Sequence, residues 1–283
     1  MTENERFLTK AGGRATGEDQ DLRVPRFANR IRRTARASAQ ALGLVIAACL
    51  VAPQAAGAQP ALQIIGAARP PYVIENDGIG SGPAVELLQI LARSIGADPA
   101  VRIVPFQRAL LALEQGGMLY PALLRTPQRE SRFIWIGEVY ADRAVFFTRS
   151  GTRRVDSLAA ARDLQRVSVM RGSELQGMLQ SFGLESVDAT NNEVDNARLL
   201  QAGRIDGWFA LRAVGRATWA QLQFDPAELQ ASEAFATLPF WIAGSADLSA
   251  QTVAALRAAY RAARADGRYH RIIAPLLALE RPQ

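Results

Sequence analysis

The segment Leu119–Glu130, LYPALLRTPQRE, joins an apolar, strand-like run to a polar turn that carries two arginines and a threonine. The apolar run ends at Leu124, and Arg125, Thr126 and Arg129 follow within five residues. A guanidinium matches a carboxylate or a phosphate with two parallel hydrogen bonds. Ligands of α/β folds bind beyond the carboxyl ends of the strands. We therefore predict an α/β fold with an anion contact at this turn; the alternative is that these arginines are solvated surface charges.

Short apolar runs alternate with segments of helical period on both sides of this turn. Such alternation predicts a mostly parallel sheet with helices on its faces. The predicted strands are Leu62–Ala67, Val101–Pro105, Tyr120–Leu124, Ala144–Thr148, Arg166–Met170, Arg204–Ala210 and Leu238–Ala243. The predicted helices are Ala84–Ile95, Gln107–Gln115, Ser157–Arg162, Leu175–Phe182, Asn192–Gln201, Ser249–Ala265 and Tyr269–Leu277.

The first 58 residues have the pattern of a secretory leader. A basic cluster at Arg30–Arg36 precedes an uncharged apolar run, Ala41–Pro53, and Ala56–Ala58 is a small-x-small exit. These three parts in this order are typical of a signal peptide, and the apolar run is short for a membrane span. We predict a signal peptide over residues 1–58 and a periplasmic mature protein of 225 residues.

The single cysteine, Cys49, lies in the predicted leader, in a loose match to a lipoprotein cleavage site. Anchoring through Cys49 is therefore the alternative to a soluble secreted product. In either case the mature chain has no cysteine for a disulfide, a thiolate metal site or a thiol nucleophile. The single histidine, His270, lies in a predicted terminal helix. These counts argue against a transition-metal site, and we predict neither a metal nor another cofactor.

The charge of the mature chain is nearly balanced. The whole sequence has 33 basic and 27 acidic residues, and the predicted leader holds nine and five of them, which leaves 24 basic and 22 acidic residues. The basic character of the full chain therefore comes largely from the leader. We predict no nucleic-acid partner for the mature protein.

Several short motifs follow one another along the mature chain. They are Arg69–Tyr72 (RPPY), Gly82 with Glu86–Leu87, Thr126–Glu130 (TPQRE), Phe133–Gly137 (FIWIG), Val169–Ser173 (VMRGS), Leu200–Asp206 (LQAGRID) and Asp266–Tyr269 (DGRY). In this order and spacing they resemble the bacterial extracellular solute-binding proteins of family 3, the amino-acid-binding group of transporter substrate-binding proteins. The resemblance extends from Leu62 to about Leu277.

The resemblance implies a two-lobed periplasmic-binding-protein fold, type II-like. Each lobe would be a mostly parallel sheet flanked by helices, and the two lobes would close on a small ligand. By analogy, lobe 1 comprises residues 60–148 plus 243–283, and lobe 2 comprises residues 149–242. Two hinge strands would join the lobes near Phe147 and Trp241.

The same resemblance assigns roles to five residues. The arginine of the T-x-x-R motif, here Arg129, would hold the carboxylate of the ligand, with Thr126 as an auxiliary donor. Tyr72 matches the aromatic residue that packs on the ligand. Gly172 and Ser173 match a turn whose backbone N–H groups open a helix, a position that also suits an anion.

Four further residues are candidates from their positions in the sequence. Arg108 begins a predicted helix beside the expected cleft, Arg125 follows a strand, and Arg171 precedes the glycine turn. For Arg125 the alternative is a side chain that points into solvent. Trp208 lies on an apolar strand, where it is either a wall of the cleft or ordinary core packing.

The sequence departs from the family where an amino-acid ligand would need an acid. The position of the aspartate or glutamate that holds the α-ammonium is Leu211, and the hydroxyl commonly found two residues before the threonine is replaced by Leu124. An ammonium group buried without a carboxylate would cost several kcal/mol. We therefore expect a carboxylate-bearing, partly apolar or aromatic solute rather than a standard zwitterionic amino acid.

The resemblance implies a solute-binding protein, not an enzyme, that delivers its small-molecule ligand to an inner-membrane ABC permease. We expect it to act as a monomer. One alternative is an enzyme on the same fold, a dehydratase or lyase with Glu174 or Asp206 as acid or base. The other is a sensory module that presents the ligand state to a membrane receptor, because sensing and transport require the same closure.

Overall fold

The computed structural model of the protein describes residues 62–184 and 186–280. The predicted signal peptide, its exit at Ala56–Ala58 and the lipoprotein alternative at Cys49 lie outside the described residues and stay predictions. Within the described ranges, no helix combines the length and apolar character that a membrane crossing requires.

The described chain forms eleven strands and eight helices. The strands are β1 Gln63–Gly66, β2 Ile74–Asn76, β3 Ile79–Ser81, β4 Val101–Ile103, β5 Met118–Leu124, β6 Ile134–Arg149, β7 Val167–Met170, β8 Val187–Thr190, β9 Gly207–Leu211, β10 Leu229–Ala231 and β11 Ala236–Gly244. The helices are α1 Pro83–Ser94, α2 Phe106–Gln115, α3 Leu158–Arg162, α4 Glu174–Ser181, α5 Glu193–Gln201, α6 Arg212–Gln221, α7 Ala250–Ala265 and α8 Arg268–Ala278.

All eleven strands belong to one sheet, in the order β2-β3-β4-β1-β5-β11-β6-β9-β7-β8, with β10 paired to β6. Strands β4, β1 and β5 form one parallel group, and β8, β7 and β9 form a second. The predicted α/β fold is confirmed. The sheet as a whole is mixed rather than parallel, because β6, β11 and the β2–β3 hairpin pair antiparallel with their neighbours.

Strands β6 and β11 connect the two parallel groups. In β11, Phe240 lies opposite Leu124 of β5 on one side and Tyr140 of β6 on the other. The last part of β6 pairs with β9, where Phe147 faces Trp208. The sequence pattern predicted only the final part of β6, because most of its residues are buried and no alternation marks it as a strand. Both proposed hinge positions lie on these strands, and the lobe limits themselves stay a prediction.

The β2–β3 hairpin lies between the predicted strand Leu62–Ala67 and the predicted helix Ala84–Ile95, where no element was predicted. Its two turn residues, Asp77 and Gly78, have φ angles of 49° and 79°. Positive φ at both central positions defines the type I′ turn of two-residue hairpins, for which Asp-Gly is a preferred sequence. The Asp77-Gly78 dipeptide therefore indicates a β-hairpin in the sequence. The flanking strands are only three residues long, too short to show the alternation of a longer strand.

Helix α6 was not predicted from the sequence. Its interior glycine, Gly215, weakens the helical signal and also allows close packing against Phe147. A Cβ on Gly215 would lie 2.1 Å from Cε2 of Phe147, a fully buried ring. We expect Gly215→Ala to destabilise the protein by about 2 kcal/mol, because overpacking outweighs the gain in helix propensity. Gly177 of α4 is the matched control, since a Cβ there meets nothing within 4 Å.

Urea unfolding of both variants measures this difference. Gly177→Ala is expected to gain up to about 1 kcal/mol from helix propensity alone. Equal effects for the two substitutions would show that the contact with Phe147 does not limit the space at Gly215.

Candidate functional site

A cavity of about 260 Å³ opens at the carboxyl ends of strands from both parallel groups. The chain reaches it directly after β1, at the end of β5, at the end of β7 and at the first turns of α4 and α5. This is the position at which open α/β sheets bind ligands. Its lining residues are Ala68, Arg69, Pro70, Leu124, Met170, Ser173, Glu174, Leu175, Asn191, Asn192, Glu193, Val194, Leu211, Val214, Thr218, Gln221, Leu238 and Phe240.

Arg69 is the one basic residue among the described residues that line this cavity. It is half-buried, and its guanidinium carbon lies 5.5 Å from the ring centroid of Phe240. Within the described ranges it forms no ion pair and no side-chain hydrogen bond. The aromatic face stabilises the cation only modestly, so the guanidinium keeps its donors for an anion. Arg69 belongs to the RPPY motif. Its position directly after a strand was the sequence signal that should have made Arg69 a candidate.

Glu193 supplies a carboxylate to the same cavity from the first residue of α5. Its Oε2 accepts hydrogen bonds from Nδ2 of Asn196 and from Nε1 of Trp208, both at 2.9 Å. Burial raises the pKa of Glu193, while these two hydrogen bonds and the charge of Arg69 act in the opposite direction. The sequence-based candidates did not include Glu193, because an acidic residue in the first turn of a helix is ordinary capping chemistry.

Trp208 does not line the cavity but lies behind the residues that do. The ring is fully buried, packs against Phe147 at a centroid distance of 5.2 Å and donates to Glu193. Of the two roles considered for Trp208, the structure shows core packing. Its indole N–H orients the carboxylate of Glu193, which does line the cavity.

Tyr72 occupies a similar position behind the opposite wall. Its side chain is fully buried, and its ring stacks on Phe240 at a centroid distance of 5.2 Å. Phe240 lines the cavity, whereas Tyr72 does not. The expected direct contact of Tyr72 with a ligand is therefore not possible in this conformation, because Phe240 presents the aromatic surface instead.

The hydroxyl of Tyr72 donates to the carboxylate of Asp142, which lies on β6. Asp142 is fully buried and also accepts from the backbone N–H of Arg143 at 2.6 Å and from that of Ala213 at 3.2 Å. Burial raises the pKa of Asp142 to about 6, against the effect of these hydrogen bonds. Asp142 thus joins the loop after β1 to the first turn of α6. An aspartate within a mostly apolar run was the available signal.

Arg129 lies beside the cavity but is already paired with a carboxylate of the protein. Its Nη1 donates to Oε1 of Glu174 at 3.0 Å and to the carbonyl of Leu124 at 3.2 Å. The guanidinium also lies 5.7 Å from the ring centroid of Phe106. Glu174 and Leu124 line the cavity, and Arg129 does not. In this conformation Glu174 takes the partner position that a ligand carboxylate was expected to occupy.

The glycine turn before α4 has donors that are already hydrogen-bonded to the protein. The N–H of Gly172 donates to Oε1 of Gln176 at 2.7 Å, and the hydroxyl of Ser173 donates to the carbonyl of Met170 at 2.7 Å. Ser173 is the N-cap of α4 and is one of the residues that line the cavity. Arg171 is exposed and donates to the carbonyl of Ala189 at 2.5 Å. Of these three candidates, only Ser173 contributes to the wall.

The remaining candidates lie outside the wall of the cavity. Arg125 forms a two-point ion pair with Glu130, at 2.8 and 2.5 Å, and its guanidinium carbon lies 4.5 Å from a ring centroid of Trp241. Arg108 is exposed on α2, and Thr126 precedes the short turn Pro127–Arg129. None of these three candidates lines the cavity. Arg125 is held by Glu130 and Trp241 rather than pointing freely into solvent, and Arg108 is exposed.

The cavity combines charges of both signs with apolar surface, and one of its two lining carboxylates, that of Glu174, is paired with Arg129. Arg69 provides the cation, Glu193 a buried carboxylate, and Phe240 with the leucine and valine side chains the apolar surface. No group of three or more histidine, cysteine, aspartate or glutamate side chains in the described part of the chain is arranged to hold a metal ion.

Comparison with solved structures identifies the same architecture elsewhere. An arginine-binding protein (ArgBP) mutant from T. maritima matches with a TM-score of 0.62 at 18% identity, over 77% of this chain and 95% of that chain. A histidine kinase sensor domain similar to periplasmic binding proteins matches with a TM-score of 0.65 at 19% identity, over 77% and 96%. The ancestral amino acid-binding protein AncCDT-1, a precursor of cyclohexadienyl dehydratase, matches with 0.61 at 16%, over 75% and 93%. At these identities the likeness concerns the fold. No curated protein matches the chain.

A cavity at the strand ends of two parallel groups that share two long antiparallel strands is the architecture of the periplasmic-binding-protein fold, type II-like. The sequence profile of the bacterial extracellular solute-binding proteins, family 3, matches residues 63–276. The chain belongs to this family, as its motifs predicted.

Proposed function

We propose that the protein captures a small carboxylate-bearing solute in this cavity and that Arg69 contacts the carboxylate. The observation that carries the proposal is the guanidinium of Arg69, which lines the cavity without an ion-pair partner among the described residues. The alternative clamp, Arg129, is paired with Glu174. A charge-assisted hydrogen bond from an arginine to a carboxylate is among the stronger polar contacts available to a ligand.

The rest of the wall narrows the class of solute. The volume of about 260 Å³ lies below the usual range for drug-sized ligands, which favours a small solute. Phe240, Leu124, Leu238 and Val214 offer apolar contact. An aromatic or aliphatic acid fits this combination.

An ammonium group on the solute is compatible with the cavity. Leu211 lines the wall as an apolar residue, in agreement with the missing acid at that position. However, Glu193 brings a carboxylate to the cavity from a different element. The expectation that a zwitterionic amino acid is disfavoured rested on the missing acid at Leu211 and the missing hydroxyl at Leu124, and it did not consider a carboxylate from Glu193. Amino-acid-like solutes with a partly apolar side chain therefore belong to the proposed class.

Delivery to an inner-membrane ABC permease, from the periplasm and as a monomer, is the role that membership of this family supports. Closure around the solute would present a distinct surface to the permease. A sensory role is the alternative, since a histidine kinase sensor domain shares the fold.

Acid–base catalysis is a second candidate function, and one observation favours it. Glu193 is a cavity carboxylate whose pKa is raised by burial, a property suited to proton transfer. The acids considered from the sequence are less suitable. Glu174 is paired with Arg129, and Asp206 accepts from the backbone N–H groups of Gln165 and Arg166 and does not line the cavity.

A thermal-shift screen of the purified protein tests the proposed function. The compounds are amino acids, aromatic and aliphatic carboxylates, and small peptides, each also supplied as its amide. We expect carboxylates to stabilise the protein by about 2.7 kcal/mol at one hundred times the dissociation constant, a shift of several degrees. Stabilisation by the amides but not by the acids would contradict the proposal. Conversion of a stabilising compound, followed by NMR, would favour catalysis instead.

A further inference from the structure

Helix α7 presents a row of arginines to a groove that is separate from the cleft. The groove has a volume of about 390 Å³ and lies between the first part of β6, Trp241 of β11 and α7. Arg257, Arg261 and Arg264 line it, and all three are exposed. They are spaced by four and three residues, so they lie on one face of the helix. None of the residues that line this groove lines the cleft cavity.

The positive charge of the groove is only partly balanced. Helix α7 contains no acidic residue, and the one carboxylate among the residues that line the groove belongs to Glu138. Within residues 62–184 and 186–280, neither Glu138 nor any of the three arginines forms an ion pair. The hydrogen bond with Tyr260 raises the pKa of Arg264, and the charge of Glu138 adds a smaller effect. One carboxylate faces three guanidiniums, so the wall keeps a positive surplus.

Two of the three guanidiniums are held by neutral groups. Nε and Nη2 of Arg257 both donate to the carbonyl of Trp135, at 3.2 and 2.8 Å. Nη1 of Arg264 contacts the hydroxyl of Tyr260 at 3.1 Å. Arg261 forms no side-chain hydrogen bond to any described residue. Neutral partners restrict a side chain but leave its charge uncompensated, which lowers the entropy cost of pairing with an anion.

The wall of the groove has the composition of a protein-binding surface. Besides the arginines, it contains the rings of Trp241, which is partly exposed, and Tyr260. Tryptophan, tyrosine and arginine are the residues that contribute most often to binding energy at protein interfaces. The depth of the groove also favours an extended chain over a flat membrane surface. The surplus charge requires that this chain be acidic.

We propose that this groove binds an acidic segment of a protein partner in an extended conformation. Arg257 and Arg264 are seven residues apart, which is about 10 Å along the helix. Alternate side chains of an extended chain point to the same side and recur about every 7 Å. Two or three carboxylates at alternate positions can therefore pair with the row of guanidiniums. This interaction does not depend on which solute occupies the cleft.

Fluorescence anisotropy with a labelled peptide and the purified protein tests the groove. The probe is an amidated hexapeptide that alternates aspartate with glycine, and the reference peptide has asparagine in place of each aspartate. Arg261→Gln and Arg261→Glu are the main variants, because Arg261 is exposed and its loss breaks no contact with the described residues. Arg198→Gln is the charge control, since Arg198 is exposed on α5 and forms no ion pair in the described part of the chain.

We expect the acidic peptide to bind the wild type and Arg198→Gln equally, and the asparagine peptide to bind neither. Arg261→Gln should weaken binding about three- to fivefold and Arg261→Glu by at least about tenfold. Glu138→Gln should strengthen binding about twofold, because it removes a carboxylate that repels the peptide. Arg69→Met must leave the affinity unchanged, because the peptide carboxylates would otherwise be bound in the cleft.

Three results would overturn the proposal: equal binding of the acidic and asparagine peptides, wild-type affinity of Arg261→Glu, or loss of binding in Arg69→Met. Vesicles of phosphatidylglycerol and phosphatidylcholine provide a further comparison. If the wild type binds the anionic vesicles through Arg261 and does not bind the acidic peptide, the groove contacts a lipid surface and the proposal is wrong.

Discussion

Asp142→Asn is expected to remove a pH dependence of stability that the wild type shows between pH 4 and pH 7. In the folded protein, burial raises the pKa of Asp142 from 3.8 to about 6. The folded state therefore binds this proton more tightly than the unfolded state does. The stabilisation is fully present below about pH 4 and is lost as the pH rises through about 6, a change of about 3 kcal/mol.

Urea unfolding at pH 4, 5, 6 and 7 measures the free energy of unfolding of both proteins. Asparagine resembles the protonated aspartate, so the wild type should lose about 3 kcal/mol relative to Asp142→Asn over this range. Asp142→Ala is the matched control, because it leaves the hydroxyl of Tyr72 and the N–H of Ala213 without their acceptor. It should be less stable than Asp142→Asn at every pH, by about 2–4 kcal/mol. A difference between wild type and Asp142→Asn that does not change with pH would contradict the assignment.

Arg69→Met is expected to weaken binding of a carboxylate solute by at least about 30-fold. Methionine keeps much of the length and apolar contact of the arginine but removes the charge and all its donors. Truncating one partner of a desolvated charge pair costs about 2–5 kcal/mol. Arg108→Met is the matched control, since Arg108 is exposed and lies outside the cavity.

Calorimetry with a carboxylate that stabilises the wild type measures both variants. Arg108→Met should bind within about twofold of the wild type, because a remote surface charge contributes little to affinity. If Arg129→Met abolishes binding while Arg69→Met does not, the ligand must displace Glu174 from Arg129. The clamp would then be the one that the sequence motif implied.

The elements that can be read from the sequence are those with strong local patterns. Helix α1 buries one apolar face and was predicted within one residue at each end. Strand β5 ends at Leu124, as the step from apolar to polar residues indicated. Strand β6 failed as a prediction beyond its last part, because burial on both faces leaves no period to detect.

The site was less predictable because its contacts join distant parts of the chain. Arg129 and Glu174 are 45 residues apart, and nothing local to either residue predicts their ion pair. Glu193 and Trp208 are likewise brought together only by the packing of α5 on the second parallel group. Strand ends locate the region of a site well. Which charges remain available for a ligand depends on pairing across the fold.

The most direct measurement of the central claim is a double cycle that combines Arg69→Met with replacement of the ligand carboxylate by its carboxamide. Calorimetry gives the four affinities for wild type and variant with each compound. If Arg69 holds the carboxylate, the amide weakens binding to the wild type strongly and to Arg69→Met hardly at all, with a coupling free energy of about 2 kcal/mol or more. Additive effects of the two changes would contradict the account and place the carboxylate elsewhere in the cleft.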